Sequence, residues 1–460
     1  MNYPLQVCLS YSLQARLRLD PLPYIYSGLS FMNAHKHFPV VVVGGGQAGL
    51  SISYCLKQKG IEHIVFEKNA IAHSWETKRW NTFCLVTPNW QCTLPGYPYS
   101  GNDPHGFMQR DQIVQYVRDY ARSFNPPIKE GVGVEKIVPK RTGFEVETAI
   151  GSYTADHVVI AVGGYHRPKI PRMAESFPSE IVQLHSSTYK TPDELPAGAV
   201  LVVGTGQSGA QIAEDLHLAG RQVHLCVGSA PRSPREYRGK DVVDWLDQLG
   251  YYDLTVDEHP QKESVRTKTN HYVTGRGGGR EIDLRQFATE GMQLHGRLNR
   301  VETVAGSRIF FEDDLKQNLD RADEVAESIK GTIDKYIEKE QIEAPIDPPY
   351  EPAWQPENMP ESIDLKEASI RTIIWATGYH TDFSWIEVPA FDGKGYPTHQ
   401  RGVTSVNGLY FLGLPWLYTW GSGRFSGVAR DATYLADCIA LKQRRPQPFV
   451  PFVNEVAIGS

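Results

Sequence analysis

Cysteine is scarce in this chain and shows no pairing pattern. Six occur in 460 residues, Cys8, Cys55, Cys84, Cys92, Cys226 and Cys438, none in C-x-x-C or C-x-x-x-x-C spacing. That excludes a disulfide framework, argues against a dithiol reductase and makes a cytoplasmic location the default expectation. No apolar run approaches the roughly 18 residues of a bilayer-crossing helix, so no membrane span is expected. Basic charge is not in excess: 47 Lys and Arg stand against 53 Asp and Glu, scattered along the chain. A net charge of −6 makes nucleic acid an unexpected partner. The histidines, His271 and His295 among them, lack ligand spacing, so no metal site is expected. With 41% hydrophobic and 22% charged residues, the chain has material for two or three globular domains.

What is abundant is glycine at particular places. Val40-Val41-Val42-Val43 has no polar alternation and reads as a central parallel strand buried on both faces. Gly44-Gly45-Gly46-Gln47-Ala48-Gly49 follows with G-x-G-x-x-G spacing. Gly44 serves the tight turn, Gly46 the close approach of backbone to a diphosphate, and Gly49 the packing of helix on strand. A helix from Leu50 to Lys59 would aim its N-terminal amides at that diphosphate. The next strand ends in Glu67, followed by Lys68, and Glu67 stands where a carboxylate accepts hydrogen bonds from a ribose. This half reads as an FAD site.

The arrangement returns 160 residues later as Val200-Leu201-Val202-Val203-Gly204-Thr205-Gly206-Gln207-Ser208-Gly209. Here no acid follows the second strand; Val227, Gly228 and Ser229 come instead, then Arg232 and Arg235. A carboxylate selects a free ribose hydroxyl, whereas nearby arginines accommodate a 2′-phosphate. The second site therefore reads as NADPH, with Arg232 and Arg235 as the candidate phosphate readers.

Between the two turns, Trp75, Arg79, Trp80, Phe83 and Trp90 fall in a long irregular segment that suits a wall against a flat ring. Apolar strands ending in a small residue and glycine occur twice, at Val158 to Gly163 and at Thr372 to Gly378. They would mark two chain crossings that nest one nucleotide fold in the other. The expected fold is α/β: two nested Rossmann-like dinucleotide-binding domains, for FAD and NADPH, with a partly helical insertion. Residues 33–166 and 368–460 would form the FAD domain and 167–367 the NADPH domain, its insertion at about 240–360. Leu315 to Glu343 is the helix candidate there, followed by a proline-rich loop. A last strand at Gly408 to Gly413 runs into Gly421 to Gly427, where Arg424 is placed to reach an anionic group. Residues 1–32 read as a leader, either an upstream extension with Met32 as the working start or a tail packed on the surface.

These residues together resemble the flavin-dependent monooxygenases with two dinucleotide folds, the flavin-containing and Baeyer–Villiger superfamily. The marks are Gly44/Gly46/Gly49 with Glu67, Gly204/Gly206/Gly209, and Ala376-Thr377-Gly378. The stretches Trp75–Pro98 and His185–Tyr189 look like a bacterial subgroup of such proteins. The superfamily's linker signature, F-x-G-x-x-x-H-x-x-x-(F/Y), is matched by His185 and Tyr189, while Ser179 and Ile181 stand where Phe and Gly belong. The resemblance implies that His185 couples the domains, and that Asn89, after Thr87-Pro88, lies near the flavin ring. It also implies cofactor contacts at Thr377, Gly378 and Gly413. The activity implied is transfer of one oxygen atom, through a flavin C4a-(hydro)peroxide, to a small nucleophilic nitrogen or sulfur substrate or to a carbonyl. Molecular oxygen and a small-molecule substrate are the implied partners, with a homodimer left open. Two other readings stand beside it: an NADPH oxidase or reductase without oxygen transfer, and a nucleotide-binding redox regulator of a transporter.

Overall fold

The computed structural model describes residues 36–303 and 307–443. The expected leader, residues 1–32, and the start at Met32 lie outside them. The valine run forms the inner part of the strand Lys36–Val43, and its four side chains are almost wholly buried. Burial of each contributes roughly 1.5–3 kcal/mol. The strand pairs in parallel with His63–Phe66 on one side and Gly151–Ile160 on the other, which is why it needs apolar side chains on both faces.

The first sheet runs in the order His399–Gln400, Val403–Thr404, Leu409–Phe411, Gly151–Ile160, Lys36–Val43, His63–Phe66 and Ile128–Lys129. An antiparallel meander, Val134–Pro139 and Phe144–Thr148, branches from Gly151–Ile160. On one face the helices Gln47–Gln58, Arg110–Phe124 and Val428–Gln443 share a core that includes Leu50, Val117 and Leu435. The other face packs Phe38, Ile64, Val158 and Phe411 against Phe383 and Ile386.

The second sheet is wholly parallel, in the order Val182–His185, Ile370–Trp375, Ala199–Val203, Val223–Cys226 and Gln293–His295. Two expected boundaries change here. Ile370–Trp375 is an inner strand of this sheet, so the chain returns to the first sheet after Trp375, not at 368. Its β-rich, buried run pairs where a neighbour already awaits it. The segment 240–360 is not a simple insertion either, because Gln293–His295 supplies the sheet's fifth strand. The long helix spans Leu315–Lys339. Its first half buries Leu315, Leu319 and Ala322 in the second core, and its second half buries Ile333 and Ile337 against Val242 and Trp245. No helix among the described residues is long and apolar enough to cross a membrane.

Candidate functional site

At the first turn, Gly44 has φ +105°, a region that side chains other than hydrogen rarely adopt. A Cβ on Gly49 would lie 1.8 Å from the Gly44 carbonyl oxygen, so the helix presses directly on the turn. A Cβ on Gly46 would meet nothing within 4 Å. The helix that starts there has no side-chain cap and no acid in its first turn, so its free amides face open space. Glu67 is fixed beside them: one carboxylate oxygen accepts from the Gly45 amide at 2.6 Å, the other from the Asn69 amide at 2.8 Å. Each oxygen keeps a lone pair for a ribose hydroxyl. Cradle, free amides and acceptor fit a dinucleotide.

The same turn gathers further expected residues. Gly413 abuts the helix start, since a Cβ there would stand 2.7 Å from that of Ala48. Gln47 accepts from the Trp75 indole at 3.3 Å and donates to the Gly423 carbonyl at 3.4 Å. Trp75 stacks on Phe425 at 5.5 Å, and the Arg79 guanidinium lies over Trp75 and Phe83. Lys68 is exposed, beside Gly133. Trp80 departs from expectation. It is buried with Tyr189 in the second core, 5.1 Å edge-on to Phe83, because the loop there leans onto the second domain.

The second turn repeats the geometry. A Cβ on Gly209 would fall 1.9 Å from the Gly204 oxygen, whereas one on Gly206 would meet only the Thr269 methyl, at 3.6 Å. Its helix, Gln207–Leu218, is also uncapped and without an acid in the first turn. Gln207 donates to the Val273 carbonyl at 2.5 Å, which brings the segment before it across the turn, and Ser208 is half-buried at the helix start. The Gly228 amide donates to the Thr205 hydroxyl at 3.0 Å.

Arg232 and Arg235 require correction as phosphate readers. Arg232 is 1% exposed and pairs with Glu281 and, at 2.8 Å, with Asp323, its plane over Tyr350. Arg235 is buried over Phe107, bonded to Asp241 at 2.9 Å and to the Val86 carbonyl at 2.8 Å. Past Ser229 the chain turns inward, and both guanidinium groups find acids of their own. Lys268, next to Thr269, is exposed and has no acidic partner among the described residues.

The two crossings lie against each other. Tyr379–His380 pairs antiparallel with Arg167–Pro168, the Lys169 amide donates to the Gly378 carbonyl at 2.9 Å, and the Thr377 hydroxyl donates to the Lys169 carbonyl. His185 Nε2 reaches the same Gly378 oxygen at 3.0 Å, and its Nδ1 lies 2.9 Å from the Ser187 hydroxyl. Burial lowers the imidazole's pKa, so the ring is neutral, with the proton on Nε2 set by its carbonyl acceptor. His185, buried with both ring nitrogens engaged, is placed as a positioning residue at the crossing. Asn89 also departs from a catalytic role. It is buried, its amide nitrogen donates to the Asp103 carbonyl at 2.9 Å, and its oxygen accepts from the Met108 amide at 2.8 Å. With both ends engaged, it braces the loop.

Arg424 is the third expected catalytic residue. Its guanidinium stacks on Trp420 at 3.8 Å, donates to the Trp420 carbonyl at 2.5 Å and donates to Asn270 at 2.8 Å. Around it stand residues that the sequence did not single out, Tyr165, Tyr251, Tyr252 and His271. Residues 251–271 reach it by docking on the first domain. The Val256 amide donates to the Tyr418 carbonyl at 2.7 Å, Arg266 donates to the Trp416 carbonyl at 3.1 Å, and Tyr252 packs 4.8 Å from Trp420. The only sequence signal for this segment was its adjacent tyrosines. A second bridge was equally invisible: Asp215, buried after the second turn, accepts from Thr82, Tyr189 and Arg276, each at 2.6 Å. Among the described residues no group of three or more His, Cys, Asp or Glu is placed to hold a metal ion.

Residues 41–287 match the family described as pyridine nucleotide-disulphide oxidoreductase. An uncharacterized CzcO-like oxidoreductase of Geobacillus kaustophilus is 35% identical over 404 residues, 87% of this chain and 97% of that protein. The indole-3-pyruvate monooxygenase YUCCA6 of Arabidopsis thaliana is 32% identical over 209 residues, 43% of this chain and 50% of its own length. Among solved structures, a double mutant of a flavin monooxygenase from Stenotrophomonas maltophilia shares the fold. Its TM-score is 0.60 at 18% identity, over 88% of this chain and 99% of the other.

Proposed function

The chain belongs to the pyridine nucleotide-disulphide oxidoreductase family, and on that premise we propose that it is an FAD- and NADPH-dependent monooxygenase of the flavin-containing and Baeyer–Villiger type. In this reading it places one oxygen atom on a small nucleophilic nitrogen or sulfur substrate, or on a carbonyl. The observation that carries the reading is the pair of uncapped glycine turns, one with Glu67 fixed beside it and the other with no acid after Cys226. FAD belongs at the first, held by the Gly44–Gly49 amides and Glu67. NADPH belongs at the second, with the exposed Lys268 rather than Arg232 or Arg235 near its extra phosphate.

The bound groups supply hydride transfer and oxygen activation. The protein's part is to orient and to exclude water. Trp75 and Phe425 give a flat apolar wall beside Gln47. The segment 251–271 covers the mouth between Trp416 and Arg424. His185 and Gly378 hold the two crossings in register.

Thiol chemistry at Cys84 and Cys92 is disfavoured despite the family's name. Burial pushes the Cys84 and Cys92 thiols up to about 11 and about 12, which leaves almost no thiolate at neutral pH. The test is NADPH oxidation with amines, thioethers, ketones and nitrile-derived compounds, with oxygenated product and hydrogen peroxide measured together. Product in proportion to NADPH supports the proposal. Peroxide alone, with every compound, replaces it with an oxidase; no turnover at all leaves a nucleotide-binding regulator.

A further inference from the structure

Among the described residues three arginines are buried outright, and each faces carboxylates: Arg232 faces Glu281 and Asp323, Arg235 faces Asp241, and Arg285 faces Asp320 and Asp323. Arg424 breaks that pattern. It is half-buried where residues 251–271 meet the first domain, and no carboxylate among the described residues is paired with it within 4.0 Å. Its partners are neutral oxygens, the Trp420 carbonyl and the Asn270 amide. The surrounding polar groups are the phenols of Tyr165, Tyr251 and Tyr252 and the imidazole of His271. Burial depresses its pKa, as expected for a desolvated cation without a counter-ion.

A partly desolvated guanidinium without a counter-ion carries a cost, and a fitted anion relieves it. Arg424 uses two of its five N–H groups, so three remain to be directed at a ligand. Stacking on Trp420 fixes the plane of the fork, which suits a bidentate carboxylate. The diphosphates of both cofactors already have a source of donors in the uncapped helix starts at Gly46 and Gly206.

We propose that Arg424, with Asn270 beside it, binds the carboxylate of an organic-acid substrate, so that the oxygen-accepting molecule is an acid rather than a neutral amine, thioether or ketone. The proposal rests on the FAD monooxygenase reading and narrows its substrate class. The segment 251–271 is then the specificity element, because it brings Asn270, Tyr251 and Tyr252 to an arginine of the first domain.

The experiment is calorimetric titration of the purified full chain with paired probes, benzoate against benzamide and phenylacetate against phenylacetamide. Flavin content and NADPH affinity are measured on the same samples. Acids are expected to bind at least tenfold more tightly than their amides. Arg424→Met should abolish that preference, a tenfold to hundredfold loss for the acids, and leave the amides, the flavin content and the NADPH affinity unchanged. Arg424→Lys keeps the charge and should retain part of the preference, which separates lost recognition from misfolding. Equal binding of acids and amides, or binding of neither, overturns the proposal. So does loss of FAD or NADPH from Arg424→Met with acid binding intact, which assigns the arginine to a cofactor phosphate. Protein that purifies without flavin yet prefers acids would sink the monooxygenase reading while sparing the acid site.

Discussion

Arg232 lies 2.8 Å from Asp323 inside the second domain, with Glu281 on its other side. The three form a buried ion cluster roofed by Tyr350. Removing the cation leaves the partly buried Glu281 without its partner and Asp323 with Arg285 alone, a loss of about 3–5 kcal/mol. Arg232→Ala should therefore lower Tm by several degrees and impair NADPH and NADH use equally. A rise in the NADPH Michaelis constant alone, at unchanged Tm, would restore the phosphate-reading role that its burial denies it.

Lys268 is the residue proposed for that role. Lys268→Ala should raise KM for NADPH about tenfold while leaving NADH nearly unaffected, since one charge-assisted phosphate contact is worth about 1.5–3 kcal/mol. Steady-state kinetics with both nucleotides decide it; equal changes would remove Lys268 from the site.

The two glycine turns should respond to the same methyl group differently according to position. Gly206→Ala meets only the Thr269 methyl at ordinary contact distance, so the variant should fold and keep its flavin. Its methyl then occupies the space for the diphosphate, and NADPH should reduce the flavin at least about tenfold more slowly, whereas dithionite should still work. Gly49→Ala collides with the Gly44 carbonyl at 1.8 Å and should lose both stability and flavin. Flavin loss from Gly206→Ala would exchange the cofactors between the turns.

Glu67→Ala removes the acceptor for the ribose and also leaves the Gly45 and Asn69 amides unpaired. FAD occupancy of the purified protein should fall about tenfold, read by flavin absorbance against protein. An unchanged flavin-to-protein ratio would show that the carboxylate only shapes the loop.

The fourth residue of the helix Val428–Gln443 gives a pH signature. Burial raises the Asp431 carboxyl from 3.8 to about 6, with Ser422 and Arg401 opposing only in part. The folded state thus holds this proton more tightly than the unfolded state. The associated stability is complete below pH 3.8 and is lost as pH rises through 6. Asp431→Asn should raise Tm at pH 7.5, by the equivalent of up to about 3 kcal/mol, and change it little near pH 4. A gain of the same size at both pH values would show that folding leaves the carboxyl's pKa unshifted.

The sequence by itself determined the parts of this protein that are local. A run of four valines needs two neighbours, and a glycine turn needs its spacing, so both nucleotide turns, their strands and Glu67 were legible from adjacent residues. The long helix was legible for the same reason, within four residues at its C-terminal end. Partner choice was not. Whether Arg232 meets a phosphate or Asp323 depends on which way the chain turns after Ser229, and Asp323 is 91 residues away. Likewise Trp80 and Asn89 sit in one aromatic loop with Trp75, yet only Trp75 faces the first turn; the other two are claimed by Tyr189 and by Asp103 with Met108. Only the tertiary structure brought Asn270, Tyr251 and Tyr252 to Arg424, and Thr82 to Asp215. Hydrogen bonds and ion pairs act over about 3 Å in space, whereas periodicity and spacing carry information over only a few residues of chain.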